Sequence, residues 1–105
     1  VTEVVEVRRG AATRTWAIDP ARLGFAPVAA EALRGATPAE NAALVQALFA
    51  GTAPAGAAAA VILNAAAALY VGGAAPSYEA AVETLRAPGA LARGAQVLAA
   101  LQGVR

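Results

Sequence analysis

The sequence predicts an α/β chain: a β-hairpin followed by about five helices, reading as the end of a larger α/β domain. Three observations lead there. Residues Val1–Val7 and Thr13–Ile18 carry near-alternating Val, Thr and Glu, the two-residue period of strands. From Asp19 onward the pattern changes to Ala- and Leu-rich stretches punctuated by Pro, Gly and capping residues, as short helices require. Residues Ala57–Val71 are apolar all round except for Asn64, so that helix needs cover on most sides. Residues 1–105 thus read as one segment of one domain, with 1–18 the hairpin and 19–105 helical.

Each element has a local reason. Arg8–Ala12 forms the turn, where Gly10 is free to take positive φ. In the second strand, Thr13, Thr15 and Ala17 fall on one side and Arg14, Trp16 and Ile18 on the other. An isolated hairpin is marginal in water, so this one is expected to pack on something more. Asp19-Pro20 opens a short helix that Gly24 stops. Val28–Arg34 reads as a second short helix ending at Gly35. Thr37 caps the next helix, Pro38 takes its first position and Glu40 completes a capping box. That helix runs to about Ala50, with Leu44, Val45, Leu48 and Phe49 on one stripe, and Gly51 ends it. The apolar helix 57–71 ends at Gly72-Gly73. Ser77 caps a helix reaching Arg86 or Ala87, Pro88-Gly89 breaks the pattern, and a last helix covers Ala90–Gln102.

Composition removes several function classes. There is no Cys and no His, which excludes thiolate nucleophiles, His bases, the usual zinc sites and disulfides. All eight basic residues are Arg, they are scattered, and the net charge is +1, so nothing points to a nucleic acid partner. Arg8-Arg9, the one basic pair, reads as a solvated turn. The apolar run 57–71 falls short of the ~20 residues a membrane span needs, so no membrane partner is expected. Absence of Cys fits a cytoplasmic protein. About a third of the residues are Ala, and the aromatic residues are Trp16, Phe25, Phe49, Tyr70 and Tyr78. A core must then come from close helix packing or from surface supplied by other protein. No Met is present, position 1 included, and the chain is expected to be a fragment of a longer one.

The order of these motifs carries a resemblance. A hairpin is followed by Asp19-Pro20, Leu23-Gly24, Leu33-Arg34-Gly35, Pro38-Ala39-Glu40-Asn41-Ala42, Leu63-Asn64 through Leu69-Tyr70, and a helix led by Ser77. This series resembles the final third of the anthranilate phosphoribosyltransferases, in the nucleoside phosphorylase/phosphoribosyltransferase superfamily, over essentially the whole chain. Pro88-Gly89 departs from the family, which usually continues there with a small residue and Gly. The resemblance implies transfer of phosphoribose from phosphoribosyl pyrophosphate to the amino group of anthranilate, in tryptophan biosynthesis. It also implies magnesium, a homodimer, and a fold of a small helical domain beside a larger α/β domain. The family's diphosphate loop, its anthranilate-contacting Arg and its Asp-Glu magnesium pair match no residue here. Catalytic, substrate-binding and metal residues are therefore expected upstream in the same chain, and the segment alone is expected to be inactive. A non-catalytic helical scaffold module and a pyrimidine nucleoside phosphorylase-like enzyme are the alternative readings.

Few residues here are candidates for chemistry. Asn64 is read as a buried amide needing partners, either bracing a substrate loop from upstream or tying helices together. Glu40 is explained by capping, and Asn41 sits in a first helical turn that can attract an anion. Glu3 and Glu6 fall on opposite faces of a strand and make no carboxylate pair. Glu79 and Glu83, with Arg86 following, read as a solvated helix face. Trp16 reads as hairpin packing, and Tyr70 as a core edge or an interface residue. Gly72-Gly73 matches no phosphate-binding loop.

Overall fold

A computed structural model describes residues 1–104. Strands β1 (Thr2–Glu6) and β2 (Arg14–Ile18) pair antiparallel, with Val4 opposite Trp16 and Glu6 opposite Arg14. The register turns Val4, Glu6, Trp16 and Ile18 toward the helices, while Glu3, Val5, Thr15 and Ala17 face outward. Gly10 holds the turn at φ 75°. Four α-helices follow among the described residues: α1 (Pro38–Ala50), α2 (Ala55–Val71), α3 (Tyr78–Arg86) and α4 (Arg93–Gln102).

The caps are those expected. Thr37 accepts the Glu40 N–H (3.2 Å) and Ser77 accepts the Ala80 N–H (3.0 Å). Gly51 ends α1 in the left-handed conformation, φ 76°. The capping box at Thr37 is half made: among the described residues, the Glu40 carboxylate returns no bond.

Three short elements differ from expectation. Asp19–Gly24 is one turn, not a helix. Arg22 and Leu23 N–H groups bond back to Asp19 and Pro20, and Gly24 at φ 86° lets Phe25 N–H fold onto the Pro20 carbonyl, 2.9 Å. Of Val28–Arg34 only Ala30–Leu33 coils, as a 3₁₀ turn. Ala29 is extended, and Val28 sits where a Cβ on Gly56 would lie 2.7 Å from its Cγ1, so the strap 25–29 crosses α2 instead of coiling. The last helix starts at Arg93, after a 3₁₀ turn at Ala90–Ala92.

The core lies between α2 and α3: Ile62, Ala66, Tyr78, Ala81 and Val82 are buried together, and Trp16, Ile18, Leu23 and Phe25 pack against them. Ala66 and Ala81 are fully buried, which lets the two helices approach closely. The Tyr78 hydroxyl donates to the Leu63 carbonyl (2.9 Å), so the buried ring leaves no polar atom unpaired. Helix α4 lies on α1 where Gly94 meets the Phe49 ring.

The cover expected around α2 is incomplete. Val61, Asn64, Ala68 and Val71 form an exposed row, with Val71 85% exposed. Val5 and Val7 on the hairpin, and Val97 and Leu101 on α4, are also exposed. The accessible surface is 7534 Å² for 10.3 kDa, whereas a self-contained protein of this mass exposes about 5,400 Å². The radius of gyration is 15.4 Å, against about 13 Å for a compact domain of this length. This segment exposes roughly 2,000 Å² more than a finished fold does.

Candidate functional site

Two clefts stand out. The larger, about 950 Å³, runs between the strap 24–29, the end of α1, α2 and residues 85–92. Its walls are apolar and Arg86 is the one charged residue lining it. Glu79, Glu83 and Arg86 are all exposed, as expected of a solvated face, but Arg86 is also bonded away from the two carboxylates. Its guanidinium lies over the Phe25 ring, 4.5 Å from the centroid, and donates to the Leu23 carbonyl. The charge therefore pins the strap, because the loop at Gly24 leaves carbonyls within its reach and the two carboxylates do not.

The second cleft, about 520 Å³, lies at the hairpin base and carries most of the polar chemistry in the chain. Its centre is Glu6, placed on the inner face of β1 by the strand period and opposite Arg14 by the register. The Glu6 side chain is 14% exposed. Its Oε2 accepts from Arg8 Nε at 2.6 Å. Its Oε1 accepts from Tyr70 O–H at 2.7 Å, Arg14 Nη2 at 3.1 Å and Trp16 Nε1 at 3.1 Å. Tyr70, from the last turn of α2, also accepts from Arg8 Nη2 at 2.9 Å. The Trp16 ring meets Tyr70 edge-on at 6.0 Å and Tyr78 at 5.5 Å.

The electrostatics follow from these bonds. The Tyr70 hydroxyl, then Arg8 and Arg14, lower the Glu6 carboxyl from 4.5 to about 2, overcoming the opposing effect of desolvation. Glu6 in turn raises Arg8 above its ordinary value. Burial, with Glu79 nearby, raises the Tyr78 phenol. A carboxylate held this low is a weak proton acceptor at neutral pH, where an effective general base sits near 7. Both its oxygens are engaged. The cluster is built to hold elements together, not to move protons.

The residues singled out from sequence fare differently. Asn64 is not buried. It is exposed, and its Nδ2 donates to the Ala60 carbonyl one turn back in α2, 2.8 Å. Asn41 is occupied by Ala36: its Oδ1 accepts that N–H at 3.0 Å and its Nδ2 donates to that carbonyl at 3.3 Å, so it holds the loop before α1. Arg8 is exposed as expected of a turn, yet it is paired with Glu6 and Tyr70 and is not idle. Trp16 packs the hairpin as expected, and Tyr70 makes the polar contact between α2 and the hairpin. Sequence reasoning set Glu6 aside because it looked for a second carboxylate. The Glu6–Arg14 half of the cluster was readable from the hairpin register. Tyr70, 64 residues away, was not.

Among the described residues no group of three or more His, Cys, Asp or Glu comes together to hold a metal. Among the described residues no single helix is long and apolar enough to cross a membrane.

Comparison with known proteins places the chain. Residues 1–96 match the family described as glycosyl transferase family, a/b domain. The chain is 44% identical over 87 residues to an anthranilate phosphoribosyltransferase of Thermomicrobium roseum, covering 81% of this chain and 25% of that protein. It is 40% identical over 84 residues to an anthranilate phosphoribosyltransferase of Chloroflexus aggregans, covering 80% of this chain and 25% of that protein. The chain thus spans about a quarter of the length of these curated relatives. No solved structure gives a significant match.

Proposed function

The chain belongs to the glycosyl transferase family through its a/b domain, and from that membership we propose that it is the C-terminal part of an anthranilate phosphoribosyltransferase. The complete protein would transfer phosphoribose from phosphoribosyl pyrophosphate to the amino group of anthranilate, in tryptophan biosynthesis. This segment would pack and support the catalytic domain. The observation that carries the reading is 44% and 40% identity, across four fifths of the chain, to two proteins of that name.

The chemistry on the page agrees with a supporting role. The strongest carboxylate, Glu6, is fully hydrogen-bonded and held ionised. The excess of exposed surface suits a segment that lies against other protein, the upstream part of the same chain. Magnesium, a homodimer and a cytoplasmic location belong to the same proposal for the complete protein. The described residues do not fit a magnesium site, since no carboxylates converge and Glu6 already faces two Arg side chains. Catalysis would be positional and electrostatic, by groups outside this segment.

The test is the complete protein carrying this chain, assayed for loss of anthranilate fluorescence that depends on phosphoribosyl pyrophosphate. Turnover by the complete protein and none by the 105-residue segment is the expected pair of results. Phosphorolysis of pyrimidine nucleosides with no anthranilate turnover would assign it to the related phosphorylases. Inertness toward both substrates would favour a scaffold module.

A further inference from the structure

The free face of α2 differs from the other exposed helix faces of this segment. Where α3 and α4 meet water they carry Glu79, Glu83, Thr84, Arg93 and Gln96. The exposed row of α2 is Val61, Asn64, Ala68 and Val71, and the helix has no charged residue at all. Asn64 is the one polar side chain in that row. Its Nδ2 donates to the Ala60 carbonyl at 2.8 Å, which assigns the amide: nitrogen faces that carbonyl and Oδ1 is the atom left over. Among the described residues no side-chain or backbone donor reaches Oδ1. Helix interiors disfavour Asn relative to the Ala that fills most of α2, so local structure gives no reason for it.

We propose that Asn64 is a docking pin: the upstream part of the same protein lies along Val61, Asn64, Ala68 and Val71 and, in an otherwise apolar contact, presents one hydrogen-bond donor to Asn64 Oδ1. The inference rests on this chain being the C-terminal part of a longer enzyme, and it adds where on the segment the rest is held in register. Two observations choose the occupant. The chain spans about a quarter of the length of its curated relatives, so most of the protein is available to cover it. The row from Val61 to Val71 is only about 15 Å long at the rise of an α-helix. A footprint of that length falls far below the roughly 800 Å² per partner that a separate chain or a second copy needs. A segment tethered in the same chain binds at high effective concentration and needs no such area. The donor follows from the cover. Covering the row takes water from the amide, and buried polar atoms are nearly always paired. Val61, Ala68 and Val71 offer no side-chain donor, so the donor arrives with the covering element.

Methyl NMR of the complete protein tests the docking. The Val61 and Val71 methyl signals are assigned by their loss in Val61→Ile and Val71→Ile. Both are expected to show nuclear Overhauser cross-peaks to methyl groups outside residues 1–105, and their absence from either valine overturns the proposal. The pin is tested by thermal unfolding of the complete protein carrying Asn64→Leu or Asn64→Ala. Leu makes the row wholly apolar, and Ala removes the amide without adding bulk. Each is expected to lower the midpoint by about 2 °C or more, because each strands the upstream donor. Overpacking alone would penalise only Leu, and a cavity alone would penalise only Ala. A midpoint unchanged or raised in either variant therefore overturns the pin. Turnover of anthranilate is read separately: turnover without the cross-peaks removes the pin and leaves the enzyme, and cross-peaks without turnover do the reverse.

Discussion

The α2–α3 contact and the hairpin–α2 contact lie side by side and are held by opposite means. Between α2 and α3, Ala66 and Ala81 let the backbones close up, Ile62 and Val82 fill the gap, and Tyr78 seals it with a bonded hydroxyl. Between the hairpin and α2, a carboxylate and two guanidiniums meet a phenol in a cleft open to water. The first contact is insensitive to pH and salt and intolerant of changes in volume. The second should show the reverse. The helical pair is thus held by close packing, and the hairpin adds a polar tie to its packing contacts.

That contrast can be broken at either side. The largest effect is expected from Tyr78→Ala, which empties the core: about 3–5 kcal/mol, read as a lower denaturation midpoint. Tyr78→Phe keeps the ring and loses one bond, at about 1 kcal/mol. Next comes Gly94→Ala, whose Cβ falls on the Phe49 ring where α4 meets α1. It is expected to cost about 1–3 kcal/mol by overpacking, and the larger Gly94→Val should cost more. Acid sharpens the comparison. Glu6 is lowered from 4.5 to about 2, so its contribution is complete above about 4.5 and disappears as pH falls through about 2. The near-UV signal of Trp16 is expected to fade in that window before the far-UV helix signal does, and coincident loss would show one cooperative unit. The smallest effect is expected from Val71→Ser, at a position 85% exposed. In the separate segment it should stay within about 0.5 kcal/mol; in the complete protein a much larger loss is expected, because there the residue would be covered.

Much of the fold was legible because local rules decide it. Thr37-Pro38 and Ser77 fix two helix starts, Gly51 fixes an end, and the alternation at 1–7 and 13–18 fixes the hairpin. What failed was set by tertiary contact. The Asp19-Pro20 start ran one turn because Gly24 folds back, and residues 25–29 stayed extended because Val28 fits the notch at Gly56. Asn64 was read as buried because its neighbours in sequence are apolar. Periodicity states that a helix needs cover on all sides, not whether this chain supplies it. The Glu6–Tyr70 contact was missed for the same reason: the two residues belong to elements whose approach no local pattern encodes.

The central claim is that the exposed row Val61–Val71 of α2 and the outer hairpin face, with Val5 and Val7, are an inner wall of the complete protein. Hydroxyl-radical footprinting of the complete protein tests it directly. Strong shielding of Val5, Val7, Val61 and Val71, at the level of the buried Val82, is the expected result. Labelling of those four valines as ready as that of an open surface position would contradict it.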